Sequence, residues 1–304
     1  MLMKIEELNL KYGAPERIVF RLGHGGYPEV VLANKYGSAE VALYGGAILS
    51  YRPTGHLPVF FRPAKRKYSL GDKFHGGSTL CWPQFSSGAI DGVCQHGFAQ
   101  FLVFDVRSTK YSEESTEITI GAASNEETLG VWPHRFDLEL TIVLSMKLNL
   151  SLKTKNVDDK PFGFTTAFHP YFLVRESSAV SVKGLDGCEY IDARKDISVK
   201  QVQEGDLTIA EGADHVFTLE AAPKHEFALI DPLLKRAIAI ASSATGVCTV
   251  WNPHTAYKMV DHDEDDYKSF VCVEPCSSWR RPLIRLEPGE DFVFVAAFQS
   301  VAES

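Results

Sequence analysis

The sequence predicts an all-β protein, a large twisted antiparallel β-sandwich with few short helices. Three observations point there. Short apolar–polar alternations recur along the whole chain, with Gly, Pro, Asn or Asp between them. One alternation runs for seventeen residues, too long for a single ordinary strand. No stretch keeps an i, i+3, i+4 apolar stripe over helical length, and "GADHVFTLEAAPKHEF" is an example. Strands this closely spaced favour a sandwich over a helix-covered parallel sheet.

Taken in order, "AEVAL" (39–43) puts Ala39, Val41 and Leu43 on one face, and Gly45-Gly46 then leads into "AILSY". "TEITI" (116–120) alternates in the same way. From Phe136 to Leu152 every even position is apolar, which predicts a hairpin turning near Ser145 to Lys147. The runs "FALID", "AIAIAS", "CTVWN", "SFVCVEP" and "DFVFVAAF" continue the pattern. No linker or composition break interrupts it, so the expectation is one domain over 1–304.

The 304 residues carry a formal charge of −8, with 45% apolar and 23% charged content. That balance leaves no excess cation for a nucleic acid or an anionic membrane. Lys4, Glu6 and Glu7 break the apolar run a signal peptide would need, and no segment reaches transmembrane length. The six cysteines form no CxxC pair, so they read as reduced thiols in a cytoplasmic, metal-free protein. The acidic run "DHDEDD" (261–266) reads as a solvated loop, because it lacks the glycine and terminal glutamate of an EF-hand. A monomer is expected.

There is no phosphate loop, no GxSxG and no HExxH, which leaves histidine and carboxylate chemistry. His169 stands in the strand-like "TTAFHPYFLV", locked by Pro170. It reads either as a core histidine bonded to backbone or as a rigidly held proton donor. Glu274 stands in the apolar "FVCVEP". It must be paired, by Arg280 or Arg281 for instance, or stay protonated.

Six ordered segments, "HGGSTLCWPQF", "HGFAQ", "VWPHRFDLEL", "FHPYF", "VWNPH" and "FVCVEP", resemble the aldose 1-epimerase superfamily, and within it the hexose-6-phosphate mutarotase branch. The resemblance extends from about Gly45 to "LEPGEDF". It implies the galactose mutarotase-like supersandwich and an isomerase without a cofactor. It also implies that His169 protonates the sugar ring oxygen while Glu274 takes the anomeric proton, on an aldose or aldose phosphate. By the same resemblance His96 binds substrate. Trp82, with Phe98, is pocket wall or core, and Gln84 joins the substrate-binding set.

Two departures from that branch matter most, beside His254, which closes "VWNPH" where the branch has Trp, and Pro170, where it has Thr. His75 and Gln100 stand where it has phosphate-holding arginines. Arg62, Lys65, Arg66, Lys67 and Arg135 are cations that would rebuild an anion site, unless they are a solvated basic loop. The alternatives are therefore a mutarotase for an unphosphorylated aldose, or a carbohydrate-binding or assembly protein that kept the fold.

Overall fold

Each alternating strand has one apolar face to bury, and two sheets bury those faces against each other. The computed structural model describes residues 4–302 except 24, 66–69, 244, 260 and 279. Among the described residues one large sheet has eleven strands, the other has nine, a small third sheet pairs Phe162–Phe164 with Ile284–Leu286, and neighbouring strands pair antiparallel. Two α-helices are present among them. Ile5–Tyr12 is tied to the first strand, because the Phe20 N–H donates to Asn9 Oδ1 at 2.9 Å. Glu126–Val131 is capped by Asn125, whose side chain accepts from the Thr128 N–H.

The long alternation forms strands Phe136–Leu144 and Leu148–Asn156, with Leu144 opposite Leu148 across a turn at 145–147. Its even positions from Phe136 to Leu152 are almost fully buried, except Met146, which stands exposed at the turn. Each such side chain contributes about 1.5–3 kcal/mol of burial. This hairpin lies in the nine-stranded sheet and supplies one wall of the core.

The other wall comes from the middle of the eleven-stranded sheet. There Ser78–Cys81, Ala167–Leu173, Phe270–Cys276, Val247–Asn252 and Ala213–Thr218 lie side by side. Period-two geometry sorts their side chains. Phe168 and Phe172 point into the core, where Phe168 stacks on Phe294 with ring centroids 5.2 Å apart and Phe172 meets Phe298 at 5.5 Å. Val271 and Val273 join the same cluster. The intervening residues His169, Tyr171, Cys272, Glu274 and Cys276 turn to the opposite face, yet they too are buried, because loops cover it. All six cysteines are unpaired. No helix among the described residues is long and apolar enough to cross a membrane.

Candidate active site

The loops enclose a cavity of about 450 Å³ over the middle strands of the larger sheet, within the range of small-molecule sites. Register decides what lies at its floor. Ala167 pairs with Cys276 and Tyr171 with Cys272, so His169 falls opposite Glu274. The ladder is interrupted between those two pairs, where Pro170 has no N–H to give. His169 is opposite Thr79 on its other side, and Glu274 is opposite Thr249. Directly opposed antiparallel residues share a face and stand close together. His169 Nε2 accordingly lies 3.6 Å from Glu274 Oε2.

Both groups are almost wholly buried, and burial acts on them in opposite directions. It pushes the Glu274 carboxyl well above the usual carboxylate range, with a further rise from the negative charge of Asp214. It pushes the His169 imidazole well below its ordinary value, helped by His96 and His75. Burial therefore favours an uncharged pair, a neutral imidazole beside a protonated carboxyl. Glu274 Oε2 finds no hydrogen-bond partner among the described residues. The salt bridge to Arg280 or Arg281 does not form: Arg280 pairs with Glu189, and Arg281 donates to the Leu219 carbonyl.

His169 is held from three sides. Its ring stacks on Tyr171 at 4.9 Å and 14°, and meets Trp251 and His96 edge-on at 6.0 and 5.3 Å. His96 sits in the left-handed region at φ 64°, followed by Gly97 at φ 72°. A Cβ on Gly97 would stand 2.0 Å from the Trp82 carbonyl oxygen, so this turn requires glycine. The Ser86 N–H donates to His96 Nδ1 at 3.3 Å, which leaves the ring proton on Nε2 as a donor at the cavity wall. Burial, then the charges of Lys73 and His75, lower His96 to about 4, so the ring is neutral at pH 7.

His75 and Gln100 also line the cavity. His75 Nδ1 bonds Asp261 Oδ1 at 2.8 Å. Gln100 Nε2 donates to the carbonyls of Gln95 and Gly97, at 3.0 and 2.7 Å, so its amide braces the loop. The acidic run is thus not simply a solvated loop. Asp261 is buried, and although burial is the largest single influence and works against its charge, the bond from His75 together with the nearby His75 and His262 rings outweighs it and holds the carboxyl below its usual range.

Three proposed binding residues stand elsewhere. Trp82 is fully buried in the core, 4.4 Å from Phe136 and 5.4 Å from Trp132 between ring centroids. Gln84 is fully buried too. It donates to the carbonyls of Val93 and Cys94 and accepts from the N–H groups of Ala89 and Ile90, so it sets the loop that carries His96 rather than facing the cavity. Arg62 pairs with Glu40 at 3.4 Å outside the cavity lining. Of the other cations, Lys65 pairs with Asp263 and Arg135 with Asp158. Arg66 and Lys67 lie outside the described residues.

The cavity holds three charged residues that the pattern of strands did not single out. Asp214 is raised to about 6, by burial and then by the nearby Asp192 charge. Arg194 grips Asp192 with Nε and Nη2, both at 3.0 Å. Lys73 lies two residues before His75. The first two come from a strand start and a loop that carry no motif. Lys73 was legible only as part of a basic segment. Cys272 adds a thiol, and its donor atom lies within 4.8 Å of those of His169 and Glu274. Burial, and then Glu274, raise that thiol well above its ordinary value. A metal would have to displace protons from both the thiol and the carboxyl, so the trio suits proton exchange better than metal ligation.

The aldose 1-epimerase family profile matches residues 28–299. A protein of Cenchrus ciliaris provisionally named glucose-6-phosphate 1-epimerase is 31% identical over 280 residues, 88% of this chain and 82% of its own. The crystal structure of a provisionally named mutarotase of Salmonella typhimurium superposes with a TM-score of 0.86 at 26% identity, covering 94% of each chain. A galactose mutarotase related enzyme of Lactobacillus acidophilus shares the fold, with a TM-score of 0.71 at 15% identity, over 91% of this chain and 98% of its own.

Proposed function

The chain belongs to the aldose 1-epimerase family, and on that premise we propose that it interconverts the α and β anomers of glucose 6-phosphate or a closely related hexose phosphate. The observation that carries the reading is the His169–Glu274 pair, 3.6 Å apart on the floor of a sugar-sized cavity. Two oxygens on one sugar carbon need one acid and one base side by side.

The reaction begins with the sugar bound, His169 protonated and Glu274 ionised. His169 gives its proton to the ring oxygen while Glu274 takes the anomeric hydroxyl proton. The bond from C1 to the ring oxygen breaks and C1 becomes an aldehyde. The pair is then neutral imidazole and neutral carboxylic acid, the state that burial favours. Low polarity around the pair thus lowers the open-chain intermediate relative to the closed starting state. Rotation about C1–C2 and attack on the other aldehyde face return both protons and give the other anomer. In this reading His96, a neutral Nε2–H donor in the cavity lining, bonds a sugar oxygen.

The phosphate in the substrate rests on the relatives' names, of which the Cenchrus ciliaris protein is one. Anomer exchange by NMR on glucose 6-phosphate and on glucose, with the wild type and Glu274→Gln, tests the reading. Acceleration of the phosphate sugar that disappears in the variant is the expected result. Equal acceleration by wild type and variant would overturn it.

A further inference from the structure

We propose that Lys73 is the anion anchor of this cavity, binding the phosphate of the hexose phosphate in place of the arginines missing at positions 75 and 100. The inference rests on the hexose-phosphate reading and names the group that recognises the phosphate.

Elimination gives the first argument. Among the described residues the cationic or basic side chains lining the cavity are Lys73, Arg194, His75, His96 and His169. Arg194 is committed: two of its nitrogens hold Asp192 and the third donates to the Glu211 carbonyl at 2.9 Å. That guanidinium offers an anion little charge that Asp192 does not already cancel. His96 is neutral, and His169 carries a proton only as the acid paired with ionised Glu274, so neither brings the site a net fixed charge. The Nδ1 of His75 is taken by Asp261, whose negative charge stands against any anion brought close. Lys73 differs. Its Nζ donates to the Gln95 carbonyl at 3.4 Å, and among the described residues it forms no salt bridge.

Position gives the second argument. The Gln95 carbonyl that receives Lys73 Nζ also receives Gln100 Nε2 at 3.0 Å. The ammonium and the Gln100 amide therefore flank one oxygen, so the charge sits beside the residue that replaces the second arginine. Lys73 also precedes His75, which replaces the first, by two residues. One flexible ammonium thus stands beside one of the two altered positions and two residues along the chain from the other, and a compact point charge suits a phosphate even without bidentate geometry.

The charge pattern of the cavity gives the third. Asp214 and Glu274 face it from the central strands, while Lys73 and His75 stand on the covering loop. Whenever Asp214 or Glu274 is ionised, a phosphate is repelled from that end and held at the Lys73 end. This polarity would turn C6 toward the loop and C1 toward Glu274.

Calorimetric titration of glucose 6-phosphate and of inorganic phosphate, beside NMR anomer exchange, into wild type, Lys73→Met and Lys73→Arg decides the matter. Loss of one charge-assisted bond should weaken glucose 6-phosphate binding about 10- to 100-fold in Lys73→Met. The ratio of kcat/KM for glucose 6-phosphate to that for glucose should fall by a similar factor, and Lys73→Arg should recover most of it. This ratio does not depend on how much of a preparation is folded. Binding of glucose 6-phosphate unchanged within about twofold in Lys73→Met would overturn the anchor, even if the wild type is an active mutarotase. A wild type that binds phosphate through Lys73 but leaves anomer exchange unaccelerated would keep the anchor and overturn the reaction. A wild type that binds neither ligand would overturn both.

Discussion

Replacing Glu274 by Gln separates chemistry from folding, because the two should move in opposite directions. The side chain is 1% exposed, and Gln keeps its shape while removing the ability to accept a proton at the anomeric oxygen. A positioned base contributes about 10²- to 10⁴-fold, or about 3 to 5 kcal/mol of barrier, so kcat should fall by that factor with KM little changed. Stability should respond otherwise. Burial, and then Asp214, hold the carboxyl well above its ordinary range. A raised carboxyl binds its proton more tightly in the folded chain than in the unfolded one. Its stabilising contribution is complete below the unfolded value of about 4.3 and is lost as pH rises through the folded value, at up to about 1.4 kcal/mol per pH unit. Gln has no such proton to lose. The variant should therefore gain on the wild type between pH 5 and pH 8, read as urea unfolding midpoints at both values, while anomer exchange by NMR collapses. A rate within about threefold of wild type, or an equal stability loss at both pH values, would refute the reasoning.

Further outcomes follow from the same contacts. His96→Gln should flatten the acid limb of stability. A histidine lowered to about 4 contributes stability that is present above pH 6.5 and lost as pH falls toward 4, worth at most about 3 kcal/mol, and unfolding midpoints across that window measure it. Gln84→Ala should cost about 2–4 kcal/mol in urea unfolding, since four backbone groups lose their partner, and should raise KM by loosening the loop that carries His96. Gly97→Ala adds a Cβ 2.0 Å from a carbonyl oxygen at φ 72°. It should lower the thermal midpoint through a cost above about 1–2 kcal/mol, and calorimetric unfolding reads the change.

By itself the sequence determined the β-sandwich and the hairpin at 145–147, and it offered His169 and Glu274 as candidates whose joint role only the family resemblance implied. Those properties are local. Alternation sorts Phe168 from His169 and Val273 from Glu274, whichever strand lies alongside. It also made a buried carboxylate at Glu274 conspicuous, because a charge in an apolar strand demands an explanation. The tertiary structure alone decided that His169 lies opposite Glu274, since strand register joins residues far apart in the chain. It also decided which polar residues of the motifs line the cavity. Gln84 and Trp82 stand in the same segment as His75, yet one braces a loop and the other fills the core. Asp261, read as solvated, is instead buried against His75. Asp214, Arg194 and Lys73 reach the cavity from separate segments of the chain. The path of a loop is fixed by distant partners and carries no periodic signature, so the charges it brings to a site appear only once the chain has closed around it.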